Sequence, residues 1–148
     1  MTITIRPIAT ADRADWDRLY AGYAAFYRVE QTAAMRDRVW GWLMDAAHET
    51  RGVLALADGA AVGLAHFRPY ARPLMAATGG FLDDLFVDPA ARGSGAARRL
   101  IEAVAEVGRA EGWTLIRWIT ADDNYRARAL YDQLATRTTW ITYDMTTS

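Results

Sequence analysis

The chain has 148 residues, 52% of them hydrophobic, which is enough for one domain with a sizeable core. Its formal net charge of -1 gives no general attraction to nucleic acid or to an anionic membrane surface. There is no cysteine, which excludes disulfides, thiolate metal sites and cysteine nucleophiles, and two histidines, His48 and His66, are too few for a histidine-built zinc site.

The opening Met-Thr-Ile-Thr-Ile-Arg-Pro lacks the apolar run of a signal peptide, and no stretch approaches transmembrane length. A soluble cytoplasmic protein is therefore expected. All 17 basic residues are arginine.

In chain order, Ile3, Ile5 and Ile8 predict a first strand ended near Pro7, with Thr10 as a cap for the helix that follows. In that helix Trp16, Leu19, Tyr20, Tyr23, Phe26 and Tyr27 fall on one face, which is unusually aromatic. Residues 32–47 predict a second helix with Met35, Val39, Trp42, Leu43 and Ala46 on one stripe, and Gly41 weakens it. Residues 53–57, Asp58-Gly59 and residues 61–67 read as a hairpin, because Asp-Gly suits a tight type I′ turn. Residues 68–80 hold Pro69, Pro73, Gly79 and Gly80 and read as a loop.

Residues 81–87 then predict a strand ending at Asp88-Pro89, followed by a glycine-rich turn and a helix from about Ser94 to the stop at Gly112. Residues 115–120 predict another strand, Asp122 or Asp123 a cap, and Leu130 and Leu134 a last helix. A final strand is predicted over 138–145, where Trp140, Thr142 and Asp144 alternate with Ile141, Tyr143 and Met145. The expected order is β-α-α-β-β-β-α-β-α-β in one domain over residues 1–148: an α+β (mixed α/β) fold with a mixed central sheet flanked by helices.

The turn at Arg92-Gly93-Ser94-Gly95-Ala96-Ala97 is where chemistry is first legible. Free amides at a helix start, with about half a positive charge from the dipole, favour an anion such as phosphate. A phosphate-loop NTPase needs a lysine that this chain lacks, and the third glycine of a dinucleotide-binding motif is replaced by Arg98. Taken alone, a Gly-x-Gly triplet is better explained as a glycine-rich surface turn.

It does not stand alone. Leu85-Phe86-Val87-Asp88-Pro89 with Arg92, Gly95 and Ala97 resembles the acetyl-CoA-binding Arg/Gln-x-x-Gly-x-Gly/Ala motif of the GNAT superfamily of N-acetyltransferases. Downstream, Asn124-Tyr125-Arg126-Ala127-Arg128-Ala129-Leu130-Tyr131 resembles that family's Asn-x-x-Ala-x-x-x-Tyr helix. Phe81-Leu82-Asp83-Asp84-Leu85-Phe86-Val87 is similar to the acidic strand of diamine acetyltransferases. The aromatic first helix and Leu130-Tyr131-Asp132-x-Leu134 resemble the polyamine, histone and D-amino-acid acetyltransferase branch. Where many members carry Leu-Gly-Phe, this chain has Leu134-Ala135-Thr136.

The resemblance implies a GNAT-like acyl-CoA N-acyltransferase fold and direct transfer of an acetyl group from acetyl-CoA to an amine, with no metal. The residues implied to hold the cofactor are Gly93, Ser94, Gly95, Ala96 and Ala97 through their amides, Arg92 and Arg98 through charge, the backbone of Leu85, Phe86 and Val87, and Asn124. A helix cap explains Asn124 equally well. Tyr131 is implied as the acid near the sulfur.

Side-chain alternation predicts that Asp83 and Asp84 point to opposite faces. The similarity to diamine acetyltransferases, which use this position to bind and deprotonate the amine, implies Asp83 as base and Asp84 as amine-binding partner. His66 is a rival base on titration grounds, although a satisfied half-buried histidine is the favoured reading of it. Tyr23, Tyr27, Glu30 and Trp40 are candidates to line an acceptor pocket, with His66 as a further candidate acceptor contact. The expected acceptor is a small amine, polyamine or amino acid, and a homodimer meeting through the last strands is the family-like expectation. The alternatives are a protein lysine or N-terminal acetyltransferase and a non-catalytic CoA-binding sensor.

Overall fold

The computed structural model describes residues 1–148, which divide into a unit of residues 1–118 and a unit of residues 119–148. The first unit is built on a five-stranded sheet in the order β1-β2-β3-β4-β5. The strands are β1 Ile3–Pro7, β2 Arg51–Ala57, β3 Ala60–Arg72, β4 Ala77–Val87 and β5 Ile116–Arg117. The first four pair antiparallel and β5 runs parallel to β4, so the sheet is mixed as expected. Its helices are α1 Arg13–Phe26, α2 Ala33–Met44 and α3 Ala96–Glu111.

The two faces of the sheet follow from strand alternation. On one face Leu64 and Phe86 join Leu54, Ala61 and the α1 residues Trp16 and Leu19 in a buried cluster. The partly buried Val39, Trp40 and Leu43 of α2 pack against that cluster. On the other face lie the fully buried Leu100 and Val104 of α3. A Cβ on Gly63 would touch Leu100, and one on Gly80 would strike Trp113, so these glycines let α3 and its C-terminal turn approach the strands closely.

Several boundaries differ from the sequence expectation for identifiable reasons. The entry to α1 is organised by Asp12 rather than Thr10: the Asp12 carboxylate accepts the Ala9 amide at 2.7 Å and the two terminal Arg6 guanidinium nitrogens at 2.7 and 2.8 Å. Thr32 does cap α2, accepting the Met35 amide at 3.2 Å. Residues 68–80 are not a loop. β3 continues to Arg72, a short 3-10 turn covers Pro73–Met75, and β4 begins at Ala77. β2 ends opposite Phe67, so the far part of β3 has one free edge, where a strand proline is tolerated. β5 is shorter than expected and pairs with β4 only at Gly80 and Phe81.

The second unit contains α4, Tyr125–Leu134, followed by a segment without regular structure. The strand expected over 138–145 is absent. Trp140, Ile141, Tyr143 and Met145 are 74 to 89% exposed. Ile141, Tyr143 and Met145 fall on one alternating set and Trp140 on the other, but alternation makes a strand only where a neighbour supplies a ladder.

Candidate active site

β4 is the strand on which the candidate groups meet. Its register against β3 shifts once: His66 pairs with Asp84 and Phe67 with Leu82, leaving Asp83 as an extra residue. This is a β-bulge. Paired residues share a face, so Leu82 lies with Phe67 on the α3 side while Asp84 lies with His66 on the α1 side. Asp83 also reaches the α1 side, where both its oxygens accept from Arg68 Nε at 3.3 and 3.1 Å. The expectation of opposite faces is thus corrected, because simple alternation fails at a bulge.

The two carboxylates have different surroundings. Asp84 Oδ2 meets His66 Nδ1 at 2.8 Å and accepts the Tyr20 hydroxyl at 2.9 Å. Burial acts to raise the Asp84 carboxyl, but hydrogen bonds from His66, Tyr20 and Tyr23 outweigh it and hold the group below the ordinary carboxylate range. Asp83 goes the other way. Partial burial lifts it, Arg68 opposes that, the nearby charge of Asp84 adds to it, and the net shift is upward. Its side chain remains 33% exposed. The Tyr20 hydroxyl is raised by burial and by the Asp84 charge, which keeps it a donor.

His66 is not at the surface of this site. Only 1% of it is exposed, and its second nitrogen, Nε2, accepts the Trp16 indole N–H at 2.9 Å. Both ring nitrogens are occupied, so the expected roles of His66 as rival base or acceptor contact give way to one behind Asp84. Tyr20, which pattern alone places in the core, is a site residue. Its hydroxyl gives the signal, since a buried tyrosine O–H needs a partner and Asp84 is the nearby acid.

Of the predicted acceptor-lining residues, Tyr23 lies between Tyr20 and Tyr27 with tilted rings, at centroid distances of 6.0 and 4.9 Å. Tyr27 is 44% exposed at the end of α1. Trp40 packs on Trp16 at 5.1 Å and so belongs to the inner layer of the aromatic group. Glu30 is exposed beyond α1 and makes none of these contacts.

The glycine-rich turn and the open edge of β4 complete the site within the first unit. Asp88 N–H bonds to Val62 of β3, so by alternation Leu85 and Val87 turn their N–H and C=O groups to the opposite edge, where β5 no longer pairs. Gly93 and Gly95 have φ of +81° and +86°, and an added Cβ on either would stand in open space. Gly95 caps α3 in this left-handed conformation. The amides of Gly93, Gly95 and Ala97 bond to no protein acceptor, whereas Ser94 N–H bonds the Ala91 carbonyl and Ala96 N–H bonds the Ser94 hydroxyl. Free amides at a helix start beside an open strand edge fit a phosphate-bearing, amide-bearing ligand such as coenzyme A. Arg92 lies over the Phe26 ring at 4.7 Å, and Phe26 also lines a cleft of about 460 Å³ with Gly22, Phe86 and Pro89.

In the second unit, Asn124 precedes α4 and makes no side-chain cap bond, which removes the plain capping explanation. Tyr131, seven residues on, falls on the same helical stripe and is half-buried. No cluster of three or more His, Cys, Asp or Glu residues could hold a metal ion, and no helix is long and apolar enough to cross a membrane.

A mixed sheet with a bulged fourth strand, an unpaired edge beyond it and a glycine turn opening the next helix define an acyltransferase architecture. The acetyltransferase (GNAT) family profile matches residues 16–135, and the chain belongs to that family of acyl-CoA-dependent acetyltransferases. It is 27% identical over 143 residues to the D-amino-acid N-acetyltransferase HPA3 of Saccharomyces cerevisiae, covering 95% of this chain and 89% of that protein. Among solved structures, a probable acetyltransferase superposes with a TM-score of 0.86 at 22% identity, covering 100% of this chain and 99% of that one. The aminoglycoside N-acetyltransferase AAC(6')-Iy in complex with CoA superposes with a TM-score of 0.85 at 20% identity, covering 99% and 96%. These two likenesses show the fold.

Proposed function

We propose that this protein transfers the acetyl group of acetyl-CoA to the primary amine of a small cationic molecule, a polyamine, an amino acid or similar. The observation that carries the reading is the bulge, which brings Asp83 and Asp84 to one face of β4 beneath Tyr20 and Tyr23. Two carboxylates ringed by tyrosines suit an ammonium group. The D-amino-acid N-acetyltransferase relative supports the same class of acceptor.

The chain's own groups divide the work as follows. Asp84 stays ionised and attracts the ammonium; Asp83, with its raised carboxyl and accessible side chain, takes the proton that frees the amine for attack. The amides of Gly93, Gly95 and Ala97 bind the pyrophosphate, with Arg92 and Arg98 adding charge, and Leu85 and Val87 pair their outward backbone groups with the pantetheine arm. When bound, the cofactor supplies an activated acetyl thioester. Asn124 steadies the same arm, and the Tyr131 hydroxyl holds the proton that returns to the departing sulfur. A homodimer formed through the C-terminal segment is part of the reading.

The test is thiol release from acetyl-CoA with D- and L-amino acids, polyamines, aminoglycosides and peptides as acceptors. Turnover on small amines is expected. Turnover confined to peptides, or CoA binding without turnover on any acceptor, would overturn the proposal in favour of a protein acetyltransferase or a sensor. Tyr131→Phe is expected to lower kcat on the order of a hundredfold, the low end of what a positioned acid contributes, with CoA affinity unchanged.

A further inference from the structure

We propose that Trp16 and His66 are positioning residues that act through Asp84, forming a buried relay that fixes one carboxylate as a permanent anion and leaves Asp83 as the carboxylate that exchanges protons. The inference rests on the amine-acetylation reading given above. It deepens that reading by assigning residues that touch neither acceptor nor cofactor.

The directionality of the relay follows from chemistry. An indole N–H can only donate, so at 2.9 Å the Trp16 nitrogen makes His66 Nε2 the acceptor. A neutral imidazole carries one proton, which then lies on Nδ1 and is donated to Asp84 Oδ2 at 2.8 Å. The same oxygen accepts from Tyr20 at 2.9 Å. Trp16 is fully buried and His66 nearly so, so neither donor nor acceptor can be exchanged for solvent. Their burial makes the arrangement costly to leave unsatisfied and hence rigid once formed.

The charged and titratable groups around the relay come from three elements. α1 contributes Tyr20, Tyr23 and Arg13, whose guanidinium lies over the Trp16 and Trp40 rings at 5.7 and 5.4 Å. β3 contributes His66 and Arg68, β4 contributes Asp83, and α2 brings only Val39, Trp40 and Leu43 to this cluster. Asp83 takes its hydrogen bonds from Arg68. One face of a single strand therefore holds a carboxylate with several internal donors next to one with a single, partly exposed partner.

Two measurements test the assignment. Imidazole nitrogen NMR of the full chain reads the tautomer without any need for activity, and with only two histidines the signals are few. His66 is expected as the Nδ1–H form. His48, whose Nδ1 accepts the Thr50 amide at 3.0 Å, is expected as the opposite Nε2–H form and serves as internal reference. Trp16→Phe removes the donor to Nε2 and should shift the His66 Nε2 signal while leaving His48 unchanged. An Nε2–H form of His66 in the unaltered chain, or a spectrum that Trp16→Phe does not change, would overturn the proposal.

The second measurement is the pH dependence of kcat/KM for the amine. His66→Gln, which cannot present its amide where Nδ1 lies, should lower kcat/KM by about 10- to 100-fold, the worth of a hydrogen bond to a charged group. It should do so mainly through the acceptor KM, and should move the acid limb to higher pH. His66→Asn, whose amide falls near the Nδ1 position, should restore much of both. A loss of thermal stability with an unmoved acid limb would overturn the positioning role. A fixed Nδ1–H tautomer in a protein that acetylates no amine would defeat the functional reading while leaving the relay intact, so the two failures are distinguishable.

Discussion

At Asp83 and Asp84, adjacent identical side chains are driven apart by their partners: Asp84 gathers donors from β3 and α1, while Asp83 meets a single arginine and partial burial. Asp83→Asn is expected to cut acetyl transfer by roughly 10²- to 10⁴-fold, the range of general base catalysis, with CoA affinity unaltered by calorimetry. The sign of the pH effect follows from the upward shift of Asp83. A base works only when unprotonated, so activity should fall off on the acid side through a pH above the ordinary aspartate value of about 3.9. Asp12 gives the complementary case for stability. The Arg6 hydrogen bonds lower its carboxyl despite burial, so its contribution is full above the unfolded value near 4 and is lost as pH falls through the lower folded value. Asp12→Asn should cost about 2 kcal/mol in urea unfolding at neutral pH, and that difference should shrink in acid below about pH 4. The residue types of this site were legible in the sequence, but its partnerships were not. Asp83 and Asp84 stand out in an apolar strand, whereas the pairing of Trp16 with His66 joins positions fifty residues apart that no local period connects.

At the scale of elements, the junction of β4 and α3 concentrates what the fold offers a ligand. The outward backbone of Leu85 and Val87 and the free amides of the turn are consecutive in the chain, so one strand end supplies both an added-strand edge and an anion site. Gly95 must hold φ of +86° to let α3 begin there, and a side chain would meet no steric obstacle but would strain the backbone by about 1–2 kcal/mol. Gly95→Ala is therefore expected to weaken CoA binding about 10-fold, read by calorimetry, while the melting temperature drops by a few degrees. This junction was the part of the site most readable in advance, because strand, turn and helix carry local signatures. In the sequence the far halves of β3 and β4 look like a loop, because Pro69, Pro73, Gly79 and Gly80 are turn formers by propensity. In the sheet Pro69 sits beyond the end of β2, and Gly80 makes room for Trp113. Tertiary packing overrode propensity there.

For the molecule as a whole, element order sufficed to anticipate a mixed sheet, while the last strand did not form. Residues 138–145 carry a strand-like alternation, yet their large apolar groups are exposed, and a period of two has meaning only beside a partner. The division of the chain into units of residues 1–118 and 119–148 was also invisible in composition, since no linker-like stretch marks it. The bulge on β4 bears on how such a molecule is assembled from separable parts. Asp83 has no counterpart on β3, and the pairs on either side of it, Phe67 with Leu82 and His66 with Asp84, already occupy opposite faces in the order a regular ladder requires. Excising that single codon would therefore close the ladder rather than shift it. The Asp83 deletion is expected to fold with a melting temperature at or above that of the parent, to bind CoA, and to acetylate nothing. If it fails to fold, the bulge is a structural necessity of the sheet. If it folds, the chemistry is a one-residue insertion carried by a scaffold that is complete without it.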